Sequence, residues 1–202
     1  MIAALPLFEE ANRTRTFMVT ILRALAERGV ASVLPDLPGL GESLTLTERM
    51  ALPELQEAFA AATARIGTPH IIALRSGTLV TRLARGASRW LFAPQERGKV
   101  VDELMRVAKL GGASETFSID DEAPQHEIAG NLLSRTLLRD LRDAAPDRTT
   151  PSRIVRLASD QREANAKFDG PPLWRKSEPG NDHVLAERLA ADIVDWIATC
   201  GD

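Results

Sequence analysis

His70-Ile71-Ile72-Ala73-Leu74-Arg75-Ser76-Gly77-Thr78-Leu79-Val80 reads as a buried strand, a sharp turn and the start of a helix. A nucleophile placed on such a strand-to-helix turn follows the pattern G-x-S-x-G. Small residues are needed two before and two after it, because larger side chains clash in the strained backbone. Ala73 and Gly77 meet that need and make Arg75 the central residue. Centring the motif on Ser76 instead puts Leu74 and Thr78 at the flanks, where both are too large. The better frame carries no nucleophile.

Outward from the turn, the chain alternates strand and helix signals. Ile2-Ala3-Ala4-Leu5-Pro6-Leu7-Phe8 is an apolar strand, and Glu9 to Arg15 reads as a polar turn. Phe17, Ile21, Leu22, Leu25 and Ala26 fall at helical spacing and Gly29 supplies a stop, which predicts a helix over 15–28. Ala31-Ser32-Val33-Leu34 is expected to be the second strand, making a right-handed crossover unit. Pro35 to Ser43 is a proline- and glycine-rich loop, and 53–66 reads as a helix ending near Gly67. Beyond the central turn, Thr78 to Arg85 is expected to be helical and Trp90-Leu91-Phe92-Ala93-Pro94 a further strand. Three strand-and-helix units in succession predict a doubly wound α/β sheet.

Composition narrows the function. The chain has 202 residues with a formal net charge of −3, 44% apolar and 26% charged residues. That suits one globular domain with a sizeable core and carries no electrostatic footprint for nucleic acid or an anionic membrane. The single cysteine, Cys200, excludes an intramolecular disulfide and a thiolate metal cluster. No apolar run approaches membrane-span length, and no basic, apolar leader opens the chain. A cytoplasmic protein acting on a small molecule is the expectation, with no metal, no cofactor and a homo-oligomer left open.

With these residues in view, a resemblance can be stated. Asp36 to Ser43 resembles the loop after the fourth strand of α/β-hydrolases. More closely, the chain is similar to the second type of exosortase-associated hydrolase, a bacterial family encoded near exopolysaccharide and protein-sorting genes. Pro6 to Arg15, Pro35 to Ser43, Ala73 to Gly77, Trp90 to Lys99 and Gly180-Asn181-Asp182-His183 carry the likeness. In that family, too, the elbow tends to read with arginine at the nucleophile position. The resemblance implies an α/β-hydrolase fold whose mostly parallel sheet lacks the strands that usually precede the one at Ile2. It also implies a helical cap inserted at about 95–148 in a single domain spanning 1–202.

Within 95–148, Lys99 to Leu110 reads as a helix, Gly111-Gly112 as a break, Asp120-Asp121-Glu122 as an acidic turn, and Ser134 to Asp143 as a last helix. His126 reads as a solvated loop side chain. After Pro151, Arg153 to Ala158 is a strand that ends at Ser159-Asp160, where a hydrolase places the acid that orients its histidine. Asp160 takes that role, with Asp169 as substitute. Leu173-Trp174-Arg175 is expected to be the last strand, His183 the histidine, and Val184 to Thr199 an amphipathic helix with Leu185, Leu189, Ile193 and Trp196 inward.

Two functions follow. In an ester or acyl hydrolase, His183 is the general base, Asp160 fixes its tautomer, and the Ser76 hydroxyl attacks a carbonyl. The oxyanion then rests on the N–H after the elbow and on one from the turn after Phe8, which brings Phe8 and Glu9 to the ligand. In a non-catalytic binding protein, Arg75 points its guanidinium into the pocket and holds a carboxylate or phosphate. A third reading pairs Arg75 with Asp160 or another acid as a structural lock.

Overall fold

Successive side chains on a strand point to opposite faces, so an unbroken apolar run such as Ile71-Ile72-Ala73-Leu74 must be covered on both sides. The computed structural model, which describes residues 1–41, 43–112, 118–120, 125–128, 130–147 and 151–200, meets that demand. In chain order the elements are β1 (Ile2–Ala4), α1 (Glu9–Glu27), α2 (Leu52–Ala64), β2 (Ile71–Leu74), α3 (Gly77–Val80), β3 (Arg89–Phe92) and α4 (Lys99–Leu110). They continue with β4 (Gln125–Ile128), β5 (Asn131–Ser134), α5 (Arg135–Asp143), β6 (Ser152–Leu157), β7 (Ala166–Phe168) and α6 (His183–Thr199).

The central sheet has the order β1-β2-β3-β6-β7, and every neighbouring pair is parallel. Ile71 and Ala73 face a core shared with α2, α3, α4 and α5. Ile72 and Leu74, one residue out of phase, face the opposite core, built with Trp90, Phe92, α1 and α6. This is the mostly parallel, doubly wound arrangement that the sequence implies. It brings the carboxyl ends of β1, β2 and β3 side by side, where ligands of such sheets bind.

Several local expectations are corrected. Glu9 to Arg15 is the first part of α1 and not a turn. Its buried face there is the polar Thr14, whose hydroxyl bonds back to the Glu10 carbonyl at 2.7 Å, so no apolar period marked it. The strand expected at 31–34 shrinks to one parallel bridge between Val33 and Ile2 on the open edge of β1. The helix expected over 78–85 is one turn, α3, followed by a 3-10 turn at Thr81–Leu83. Leu173–Arg175 is a 3-10 turn after two prolines that cannot donate to a ladder, and the last strand is β7. β4 and β5 form an antiparallel hairpin that was not anticipated, and His126 within it is buried, not solvated. Asp121 and Glu122 of the expected acidic turn lie outside the described residues.

Candidate functional site

The turn between β2 and α3 has the shape that the small flanking residues require. Arg75 sits at φ +54°, a conformation rare for any residue with a side chain. Ala73 is fully buried, and a Cβ added to Gly77 would lie 2.4 Å from the Leu5 carbonyl oxygen and 2.7 Å from that of Ala4. Glycine is therefore demanded at position 77 by the end of β1, which fixes Arg75 as the tip. Among the described residues, the positive-φ positions other than glycine are Phe8, Arg75 and Ala93. They stand just past the carboxyl ends of β1, β2 and β3, so the backbone strain is gathered at one place.

The Arg75 guanidinium does not reach for open solvent. Its Nε and Nη2 donate to the two Glu10 carboxylate oxygens at 3.1 and 2.9 Å, and Nη2 also lies 3.0 and 2.9 Å from the Glu103 oxygens. Its carbon centre sits 4.8 Å from the centroid of the Trp174 ring. Gln95 adds a bond from Nε2 to Glu103 at 2.7 Å. Burial raises the Glu10 pKa; the Arg75 hydrogen bonds and charge pull it down, and the neighbouring Glu103 pushes it up again. The structural lock, with Glu10 and Glu103 in place of Asp160, is the pairing observed.

The three residues expected to form a triad are not linked by hydrogen bonds. Ser76 is buried, and its Oγ accepts the Leu7 N–H at 2.9 Å, which ties the elbow to the loop after β1. Asp160 is clamped by Arg162, through Nε at 2.9 Å, Nη2 at 2.6 Å and the backbone N–H at 3.0 Å, and by Arg156 Nη1 at 3.2 Å. Arg162 foremost holds its carboxyl well below the usual carboxylate range. His183 is the exposed first residue of α6, whose cap is Asp182, and its Nε2 lies 3.2 Å from Asn181 Nδ2. Asp169 is exposed on the surface.

Beside the elbow lies a cavity of about 350 Å³. Phe8, Glu9 and Ser76 line it, together with Glu10, Gln95, Glu103 and Trp174, to which the sequence reading gave no role in the site. Glu10 stands two residues past Phe8, and that spacing was the one signal that could have drawn attention to it. Helix α4 and Asn131 of β5 close the cavity from the segment between β3 and β6. Neither the Phe8 nor the Ser76 amide finds an acceptor among the described residues. A backbone N–H without an internal acceptor can serve as a donor to a ligand oxygen. The 19-residue α1 begins at Glu9 and directs the positive end of its dipole to the same place. Among the described residues no group of three or more His, Cys, Asp or Glu side chains is arranged to hold a metal ion. No described helix is long and apolar enough to cross a membrane.

No protein-family model and no curated protein sequence matches this chain. Solved structures do. The Est1E protein of Butyrivibrio proteoclasticus, solved with ferulic acid bound, superposes over 98% of this chain and 88% of its own, with a TM-score of 0.63 at 17% identity. An extracellular α/β-hydrolase from a Paenibacillus species matches over 96% of this chain and 98% of its own, with a TM-score of 0.55 at 11% identity. A thermophilic esterase from Thermogutta terrifontis, solved with malate bound, matches over 100% and 89%, with a TM-score of 0.54 at 17% identity. At these identities the likeness establishes the α/β-hydrolase fold.

Proposed function

We propose that this chain is a binding protein on an α/β-hydrolase fold, holding a small carboxylic acid or related carbonyl compound in the cavity without cleaving it through a serine. One observation carries the reading. Arg75 occupies the tip of the elbow and is pinned by Glu10 and Glu103, while the adjacent Ser76 hydroxyl is engaged by the Leu7 N–H. The free Phe8 and Ser76 amides supply the oxygen-binding end. Arg13, Arg106 and Arg175 line the cavity beside Glu9, Glu10 and Glu103, and because Arg75 is already paired with Glu10 and Glu103, the other arginines are left to meet an acid with an apolar body. Two of the structural neighbours were solved with carboxylic acids bound, which supports the same ligand class. Helix α4 and the β4–β5 hairpin act as the cap over this ligand. In this reading Arg75 builds the wall of the site and does not itself grip the anion.

The competing reading, an ester or acyl hydrolase using Ser76, Asp160 and His183, is favoured by the esterase among the neighbours. Treating the folded protein with a fluorophosphonate and locating modified residues by mass spectrometry separates the two. No modification, together with cinnamate binding by calorimetry, is the expected result. Labelling of Ser76 that vanishes in His183→Ala would overturn the binding reading. A role beside bacterial exopolysaccharide or protein-sorting systems belongs to this proposal through the sequence resemblance alone.

A further inference from the structure

The wall that Arg75 builds has a far side. A second cavity, of about 230 Å³, lies at the carboxyl ends of β2, β3 and β6, with Arg75, Ser159, Asp160, Arg162, Trp174 and Arg175 in its lining. Trp174 and Arg175 line both cavities, whereas Arg75 lines only the second, and Arg13 and Arg106 only the first. A guanidinium carries five N–H donors on three nitrogens. Glu10 and Glu103 take up Nε and Nη2 of Arg75, and Nη1 has no acceptor among the described residues. The residue is 4% exposed, yet Nη1 is not sealed, because the unpartnered side-chain atoms without accessible surface belong to other described residues. The surface that Nη1 keeps is therefore on the side of the second cavity.

Asp160 is the one carboxylate in that lining among the described residues, and it is fully engaged. Its oxygens accept four hydrogen bonds, three from Arg162 and one from Arg156, which fills the acceptor positions of a carboxylate. A cationic ligand finds no free carboxylate there. The donors, by contrast, are open. Arg175 is exposed, and its side chain makes no hydrogen bond or ion pair with any described residue. Arg162 gives Nε and Nη2 to Asp160 and keeps Nη1. These donors come from three separate segments: the elbow tip, the turn after β6 and the turn at Leu173–Arg175. A carboxylate has two oxygens to offer them and a phosphoryl group three, which arginine forks match. The volume is below the roughly 300–1,000 Å³ of sites for larger ligands, so it suits a compact anion. We infer that this second cavity binds a phosphoryl group, as free phosphate or as the head of a phosphate monoester, through Arg75 Nη1, Arg162 and Arg175. The inference does not rest on the acid proposed for the first cavity.

The test treats the folded protein with phenylglyoxal, which modifies free guanidinium groups, with and without inorganic phosphate, and maps the products by mass spectrometry. Saturating phosphate should slow modification of Arg175 at least about tenfold. Arg106, exposed and lining only the first cavity, should react as before. No protection of Arg175 would overturn the inference, and so would equal protection of Arg106, which would put the anion in the first cavity. Acetate protecting Arg175 as well as phosphate does would overturn the phosphoryl assignment. In titration calorimetry, Arg175→Gln should weaken phosphate about tenfold, the loss of a charge-assisted hydrogen bond, with Arg175→Lys in between. Arg82→Gln, an exposed arginine that lines neither cavity, should stay within about twofold of the parent. An equal loss there would reduce the effect to net charge and overturn the site. The protection experiment uses the parent chain, so it stands should Arg175→Gln fail to fold. Phenyl phosphate separates the two sources: tighter binding than phosphate identifies a monoester, weaker binding identifies free phosphate, and both uphold the site.

Discussion

Replacing Arg75 with methionine keeps much of the stem's volume and removes the cation that joins Glu10 to Glu103. The Arg75 side chain is 5% exposed and that of Glu10 18%, so Glu10 loses its partner in a largely dry setting. Breaking a buried ion pair from one side costs about 3–5 kcal/mol, because the remaining charge is left uncompensated. The Glu103 side chain is 34% exposed and partly screened by water, which places the expectation near the lower end, at about 3 kcal/mol. For a domain of this length that corresponds to a fall in Tm of about 6–12 °C at neutral pH. The loss must also depend on pH. Without Arg75, the folded-state pKa of Glu10 rises further above its unfolded value. A raised carboxyl contributes stability that is fully present below the unfolded pKa and lost as pH rises through the folded pKa. Urea unfolding at pH 7.5 and pH 5 should therefore give a deficit at the higher pH at least about twice that at the lower. Adding Glu10→Gln and Glu103→Gln to Arg75→Met removes both stranded charges and should recover most of the stability. A single variant within about 1 kcal/mol of the parent at both pH values would refute the claim that this cluster is a buried lock.

Gly77→Ala should cost about 3 kcal/mol by urea unfolding, since its Cβ would meet the Leu5 and Ala4 carbonyl oxygens, both backbone atoms that cannot step aside. Arg75→Ser restores a serine to the elbow, yet its turnover of p-nitrophenyl acetate should stay at background, because His183 is engaged with Asn181 and Asp160 with two arginines. Turnover that disappears on adding His183→Ala would show the triad to be assembled after all. Asp160, its carboxyl held low mainly by Arg162, contributes stability above the ordinary carboxylate pKa that is lost as pH falls toward its folded value. Asp160→Asn should therefore be less stable than the parent at pH 7, with the gap closing as urea unfolding is followed toward pH 3.

The sheet was legible because its signal is physical and local. A four-residue apolar run such as 71–74 can be buried only between two layers, and the small residues Ala73 and Gly77 mark the turn even though the group that crowds Gly77, the end of β1, lies far away in sequence. The site was legible only at its tip. Arg75 was placed by the small residues around it, but its partners come from 65 residues before and 28 after, and no spacing rule joins Glu10 or Glu103 to position 75. Trp174 was misassigned to a strand because an apolar pair after a turn looks the same whether it joins a ladder or folds into a 3-10 turn. Pro171 and Pro172 were the available warning. The chain order elbow, acid, histidine suggested a triad. Order along the chain fixes which strand ends carry the groups, whereas the hydrogen bonds depend on which neighbour competes. Arg162, two residues from Asp160, wins that competition.

The lock and the open amides answer different demands, and the difference bears on function. Joining Arg75 to Glu10 and Glu103 requires a guanidinium at the elbow tip but does not require Phe8 to adopt φ +58°, nor Ala93 φ +49°. Each such residue costs on the order of 1–3 kcal/mol, and a purely structural lock offers nothing in return for the strain at Phe8. What that strain does accomplish is to leave the Phe8 amide without an internal acceptor, beside the equally free Ser76 amide and the start of α1. Both residues line the cavity, along with three arginines and three glutamates. Two unpaired donors at a helix N-terminus are stabilised only when something negative or strongly accepting fills the space in front of them. Arg75 thus fills the tip of the elbow with a buried ion-pair cluster, and in the proposed binding reading a ligand oxygen is what meets the strained turn beside it.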